Sequence, residues 1–173
     1  LQEPFVDAPF IHPFRHPSYH ATQLRAINFA KARKQRLFWV VACDSSPQIS
    51  KTQGNEKQEL RKEKWLEFHD RFTSGIPGLL PLAVNMPLRF TESLGKAARE
   101  MGVFKHTRGI LRGIALAEEE QQRLSETDSP EVVFQRRPQR LVIEIESGTK
   151  KMPLVDGRRM YSLRVQRKQW SLD

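Results

Sequence analysis

The residues of this chain best suited to chemistry are its cations. They are not accompanied by the groups that make or break covalent bonds. No Gly-x-x-x-x-Gly-Lys-Ser/Thr loop is present, and the single Gly-Lys pair, Gly95-Lys96, has no upstream glycine at that spacing and is followed by Ala97. Without such a cradle of backbone amides the sequence offers ATP phosphates no seat. Nor is there a Gly-x-Ser-x-Gly elbow or a His-Glu-x-x-His pair. His12, His16 and His20 are spaced four apart, but Pro13 and Pro17 interrupt the helix that would stack them as metal ligands. The one cysteine, Cys43, closes the apolar run Leu37–Ala42 and reads as a buried, inert thiol. The sequence therefore predicts no catalytic residue, no metal ligand and no cofactor-binding residue of its own.

The cations, in contrast, are organised. Lys and Arg number 29 against 20 Asp and Glu, for a net charge of +9. Such an excess favours polyanionic partners, because each cation set on a phosphate releases condensed counterions. Between Ala8 and Cys43 there are six Lys or Arg and no acid. A second cluster, Lys105-His106-Thr107-Arg108-Gly109-Ile110-Leu111-Arg112-Gly113, joins cations to glycines that let backbone approach a phosphate chain, although a β-turn with a solvated basic face explains the same residues. Arg136–Arg140 and Arg158–Lys168 form a third group. Trp65, Phe104, Tyr161 and Trp170 are of a type that stacks on bases, yet core packing is the better reading of each of them. Glu118–Asp128, with five acids and one Arg, reads as a solvated loop or short helix.

The elements that must carry these residues fall into two textures. Phe10–Phe14 reads as a strand, and a helix capped by Ser18 follows, with Leu24, Ile27 and Ala30 as its apolar stripe. Leu37–Cys43 has the character of a strand buried on both faces. Strand, helix, strand is the order of a βαβ unit and predicts a parallel sheet. Ser45–Asn55 reads as a loop, and Lys57–Phe72 as a second helix with Trp65, Phe68 and Phe72 on one face. Beyond a break near Thr73–Gly78 come short strands at Leu79–Val84, Pro87–Thr91, Ile110–Leu116, Glu131–Phe134, Leu141–Glu146 and Met160–Val165. The predicted fold is α/β followed by mostly β, with a small barrel or curled antiparallel sheet in the second part.

On these residues the chain resembles a known family. Leu80-Pro81-Leu82-Ala83-Val84-Asn85-Met86-Pro87-Leu88-Arg89-Phe90-Thr91, followed by Phe104 to Ile114, resembles the strand pair of a Src-homology-three-like barrel inserted in the second RecA-like domain of Pif-type (petite integration frequency) superfamily-one DNA helicases. Where the family has Asn-Gly ahead of Arg-Gly, this chain has Lys105-His106-Thr107. Phe10–Arg15 with Ala21–Ala30 looks like the family's fourth helicase motif, and Trp65–Arg71 like the segment leading into the barrel. Val132–Phe134, Leu141–Glu144 and Met160–Arg164 through Trp170–Asp173 look like the later strands. The likeness spans nearly the whole chain, and the order of the segments is more specific than any one of them.

The resemblance implies that residues 1–74 are part of the second motor domain with a linking helix, and that residues 75–173 are the inserted barrel with strands returning to that domain. It implies a parent that unwinds DNA, 5′ to 3′ in the family, using ATP and Mg held by motifs outside this sequence. The partners would then be single-stranded or forked DNA and the missing halves of the motor domains, with no membrane. By position, His12 and Arg15 would contact strand phosphates, and Lys105, Arg108 and Arg112 would lie on the barrel's DNA-facing loop. Leu1 in place of an initiator Met points to a fragment, and the family points to the nucleus, with the mitochondrion as the alternative. Two other readings stand beside this one, a stand-alone small-barrel protein binding RNA or DNA, and an inactive helicase remnant.

Overall fold

A computed structural model describes residues 15–43, 66, 73 and 76–164. The predicted strand Phe10–Phe14, and the helix over Lys57–Phe72 apart from helical Leu66, lie outside the described residues. The described part is mixed α/β with more strand than helix, and its strands form two sheets.

Helix α1 (Arg15–Ala32) begins three residues before the expected cap, so Ser18 stands inside its first turn. Pro17 is tolerated there because the first turn has no intrahelical acceptor for the N–H that proline lacks. Its packed face is Ala26 and Ala30, both buried, with Ile27 and Phe29 beside them. Leu24, predicted in the stripe, is 47% exposed instead. Two alanines let the helix lie close on the sheet beneath it, and Leu24 falls off the side of that contact.

Strand β1 (Leu37–Val41) is the centre of the first sheet, between β2 (Leu79–Leu82) and β5 (Glu131–Val133). Alternation along β1 divides its side chains. Leu37 and Trp39 pack with α1 and Ala83, whereas Phe38 and Val40 face the other sheet. This explains why the run is apolar without a break. The first strand of the expected βαβ unit lies outside the described residues; among those described, β1 pairs parallel with β5 and antiparallel with β2. Both partners come from beyond the Thr73–Gly78 break, so hydrogen bonds join the two sides of it. Pro81 lies in β2, an edge strand, the position in which a sheet accommodates a residue without an N–H. Cys43 lies past the end of β1 and is exposed, not buried, because the apolar alternation that protects the strand has stopped at Val41.

The second sheet contains β3 (Pro87–Arg89), β4 (Arg108–Ala115), β6 (Arg140–Glu144), β7 (Leu154–Val155) and β8 (Arg158–Arg164) in the order β3-β4-β6-β8-β7. Every pairing is antiparallel. It is an open sheet with two edges, not the closed barrel predicted as one possibility. The physical reason lies at those edges: β3 and β7 are too short, at three and two residues, to meet and close a cylinder. Asp156 and Gly157, both at positive φ (50° and 74°), make the two-residue turn between β7 and β8, the backbone that a twisted hairpin demands and that Asp-Gly supplies at low cost.

One face of this sheet is the main core. Leu111, Ile143 and Ile145 are at most 1% exposed and pack with Leu82, Phe90, Val103 and Met152, with Phe38 and Val40 reaching in from β1. Tyr161 joins them edge-on to Phe90, with ring centroids 5.9 Å apart, so core packing is its role. Helix α2 (Lys96–Glu100) contributes Ala98, and helix α3 (Glu118–Ser125) closes a third cluster of Leu124, Val132 and Phe134, whose ring stacks on Phe38 at 5.2 Å. Arg36 donates to the carbonyls of Leu124 (2.9 Å) and Thr127 (2.5 Å) at the end of α3, where a cation meets the negative end of the helix dipole. The layers are therefore α1, the three-stranded sheet, and the inner face of the five-stranded sheet. Its outer face is covered by none of the described elements.

Candidate nucleic-acid interface

The register fixes which residues share that outer face. Residues directly opposite in an antiparallel pair point the same way, and alternate residues of one strand do too. Arg89 stands opposite Arg108, Glu144 opposite Ile110 and Met160, Val142 opposite Gly113 and Ser162, and Arg140 opposite Ala115 and Arg164. The core residues Leu111, Ile143 and Tyr161 stand opposite one another on the other side. Arg158, two residues before Met160 on β8, completes the set.

The outer face thus carries Arg89, Arg108, Arg112, Arg140, Arg158 and Arg164, and one strand carboxylate, Glu144. Glu146, just past β6, is exposed and makes no ion pair among the described residues. Two of the cross-strand pairs, Arg89 with Arg108 and Arg140 with Arg164, place like charges directly opposite. Such a pair costs the free protein roughly 0.2–1 kcal/mol. Arg89, Arg108 and Arg140 form no ion pair among the described residues, and all are exposed.

The centre of the face is built differently. A register shift between Leu111 and Gly113 lets Arg112 bulge out of β4. Its Nε donates to Oε2 of Glu144 at 2.6 Å, and its Nη1 donates to Oδ1 of Asn85 at 2.5 Å. Asn85, in the turn between β2 and β3, holds a left-handed conformation (φ 66°) that asparagine tolerates. The Asn85 N–H in turn donates to the Leu111 carbonyl at 2.6 Å. Arg158 Nη1 lies 3.6 Å from the same Glu144 oxygen. Around this group are Pro87, Ile110, Val142 and Met160.

Of the residues predicted from sequence, Arg108 lies on this face. Arg112 lies on it as well, but its guanidinium is already held by Glu144 and Asn85. Lys105 and His106 are exposed in the turn Phe104–Thr107 at the Arg89/Arg108 end of the sheet. There the His106 N–H donates to Phe90 O at 2.7 Å, and Phe104 is 49% exposed, so it is not a core residue. Arg15 opens α1, its side chain lies outside the described residues, and His12 lies outside them altogether. Gly109 is required by the packing of the sheet. A Cβ there would stand 2.5 Å from Ile143 Cγ2 and 2.8 Å from the Glu144 carbonyl, so its smallness serves the sheet itself.

Sequence reasoning missed Arg89, Asn85 and Glu144. Part of the signal was available in the strands: read at every second position, 158, 160, 162 and 164 put an Arg at both ends of one face, and 140, 142 and 144 put Arg140 at one end and Glu144 at the other. Among the described residues no three His, Cys, Asp or Glu are grouped to hold a metal ion, and no helix is long and apolar enough to cross a membrane. No protein-family model matches the chain, and searches of curated proteins and of solved structures find no match.

Proposed function

We propose that this chain grips single-stranded DNA across the outer face of its five-stranded sheet, as a segment of a Pif-type ATP-dependent DNA helicase that moves 5′ to 3′. The observation that carries the grip is the pair of like-charged arginine couples, Arg89/Arg108 and Arg140/Arg164, on a face with a single strand carboxylate. Arg89, Arg108 and Arg140 gain no ion pair among the described residues from standing opposite another guanidinium. A phosphate chain laid between them turns that repulsion into attraction. The helicase assignment rests on the resemblance of the ordered segments from Phe10 to Asp173, and on a polyanion-binding face where the likeness places the inserted strands. The sequence has no loop for ATP phosphates, so hydrolysis falls to the missing halves of the motor, with ATP and Mg bound there. This chain supplies the hold on the strand that those halves pull.

The test is the salt dependence of binding to a labelled oligothymidine, followed by fluorescence anisotropy. Between about 50 and 200 mM salt the log–log slope is expected near −0.7 for each phosphate neutralised. Replacing both arginines of one couple, R89Q with R108Q or R140Q with R164Q, should flatten the slope by roughly 1.4. Binding that ignores salt, or is untouched by either double substitution, removes the proposal.

A further inference from the structure

The centre of the arginine-lined face has the wrong composition for phosphate. Glu144 already occupies Arg112 and Arg158, Pro87, Ile110, Val142 and Met160 cannot bond phosphate, and the strand residues of the face include no aromatic side chain to seat a base. What the centre does hold is a flat group locked in place. All five guanidinium N–H bonds lie in one plane. Arg112 spends donors on two edges of that plane, Nε on Glu144 and Nη1 on Asn85, and its side chain keeps 26% of its exposure. An in-plane clamp at two edges fixes the orientation of the plate and leaves its faces as the surface to offer. Arginine planes of this kind stack on unpaired bases.

We infer that Arg112 is a base-stacking platform, not a phosphate contact, with Asn85 and Glu144 as its positioning residues. A single strand of DNA crosses the sheet with phosphates on the two arginine couples, about 20 Å apart along β4 at roughly 3.3 Å per residue. Between those rims an unpaired base lies on the guanidinium and its neighbours lie over the apolar side chains. Duplex DNA hides its bases and presents phosphate where Glu144 stands, so it is the poorer occupant. This inference rests on the strand-gripping role proposed above and adds which part of the strand meets which residue.

The experiment compares oligothymidine with an abasic deoxyribose-phosphate chain of equal length on the intact chain, and adds two variants. The wild type is expected to bind the abasic chain on the order of tenfold more weakly, with the salt slope unchanged, because stacking is lost and phosphates are not. R112K keeps the charge but not the plane, and should bind both oligomers with about the weaker affinity. N85G frees one edge of the plate while preserving the left-handed backbone, since glycine adopts it most readily. It should narrow the difference between the two oligomers and leave binding to the abasic chain unchanged. A 2-aminopurine placed mid-strand should be quenched by wild type and less so by either variant. Equal affinity of the wild type for the two oligomers overturns the platform while leaving the grip intact. Failure to bind either oligomer overturns the grip. Tighter binding of duplex or of oligouridine than of oligothymidine overturns the assignment of DNA single strand to this face.

Discussion

Glu120 shows how much a single residue of the acidic run contributes. Within Glu118–Asp128 the residues Glu118–Ser125 form a helix, one of the two expected forms, but Glu120 is only 2% exposed where a solvated face was expected. Its carboxylate accepts from Arg123 Nη2 at 2.5 Å and from the Gln135 N–H at 3.1 Å. The Arg123 hydrogen bond holds the Glu120 carboxyl below its ordinary value of 4.5, against a burial cost that pushes the other way. A depressed folded value means that the stability from this group is complete above the unfolded value and is lost as pH falls through the folded one. Glu120→Gln should therefore destabilise the chain at pH 7 by about 1.5–3 kcal/mol, the range for hydrogen bonds to a charged group. Its acid-unfolding limb below pH ~4.5 should be shallower than that of the wild type. Equal melting temperatures at pH 7, measured by circular dichroism, would contradict this account.

At the scale of elements, the strands were legible and their assembly was not. Six segments predicted as strands beyond Thr73 form β2, β3, β4, β5, β6 and β8, because each is a short run rich in apolar or β-branched residues set off by turn and polar residues. The two-residue β7 and five-residue α2 escaped, being too short to express any period. Pairing is set by contacts far apart in sequence, and no local pattern says that β1 will take a parallel partner at Glu131 and an antiparallel one at Leu79. The candidate site was half legible for the same reason. Arg108 and Arg112 were found as a cluster, but Arg89 and Glu144 become their neighbours only through register. Gly109 is where register and packing meet. Gly109→Ala would drive a methyl into Ile143 and the Glu144 backbone, both fixed by the core and by pairing with β8. Overpacking of this kind costs about 1–3 kcal/mol. The melting temperature should fall by about 2–12 °C, at 2–4 °C per kcal/mol for a chain of this size. The same substitution at Gly113, where the nearest side-chain atom is 3.8 Å away, should fall by less, and a larger fall there would sink the packing argument.

At the scale of the whole molecule, stability and binding should answer salt in opposite directions. A net charge of +9 and two couples of facing arginines make the free chain self-repelling. Salt screens that repulsion, with a Debye length near 30 Å at 0.01 M and about 10 Å at 0.1 M. Like charges directly opposite are destabilising, and the Arg89/Arg108 couple has no ion pair among the described residues to offset it. The melting temperature of the free chain should therefore rise by a few degrees over that salt range. Bound oligothymidine performs the same neutralisation with its phosphates and adds its binding free energy to stability, about 2.7 kcal/mol at a hundredfold excess over Kd. That contribution is largest at low salt, where binding is tightest. The gap between the bound and free melting curves should then close from both sides as salt increases, and in the R89Q/R108Q variant the free curve should start higher and the gap should be smaller. A free chain whose melting temperature falls with added salt would show that the arginine couples carry no strain for a nucleic acid to relieve.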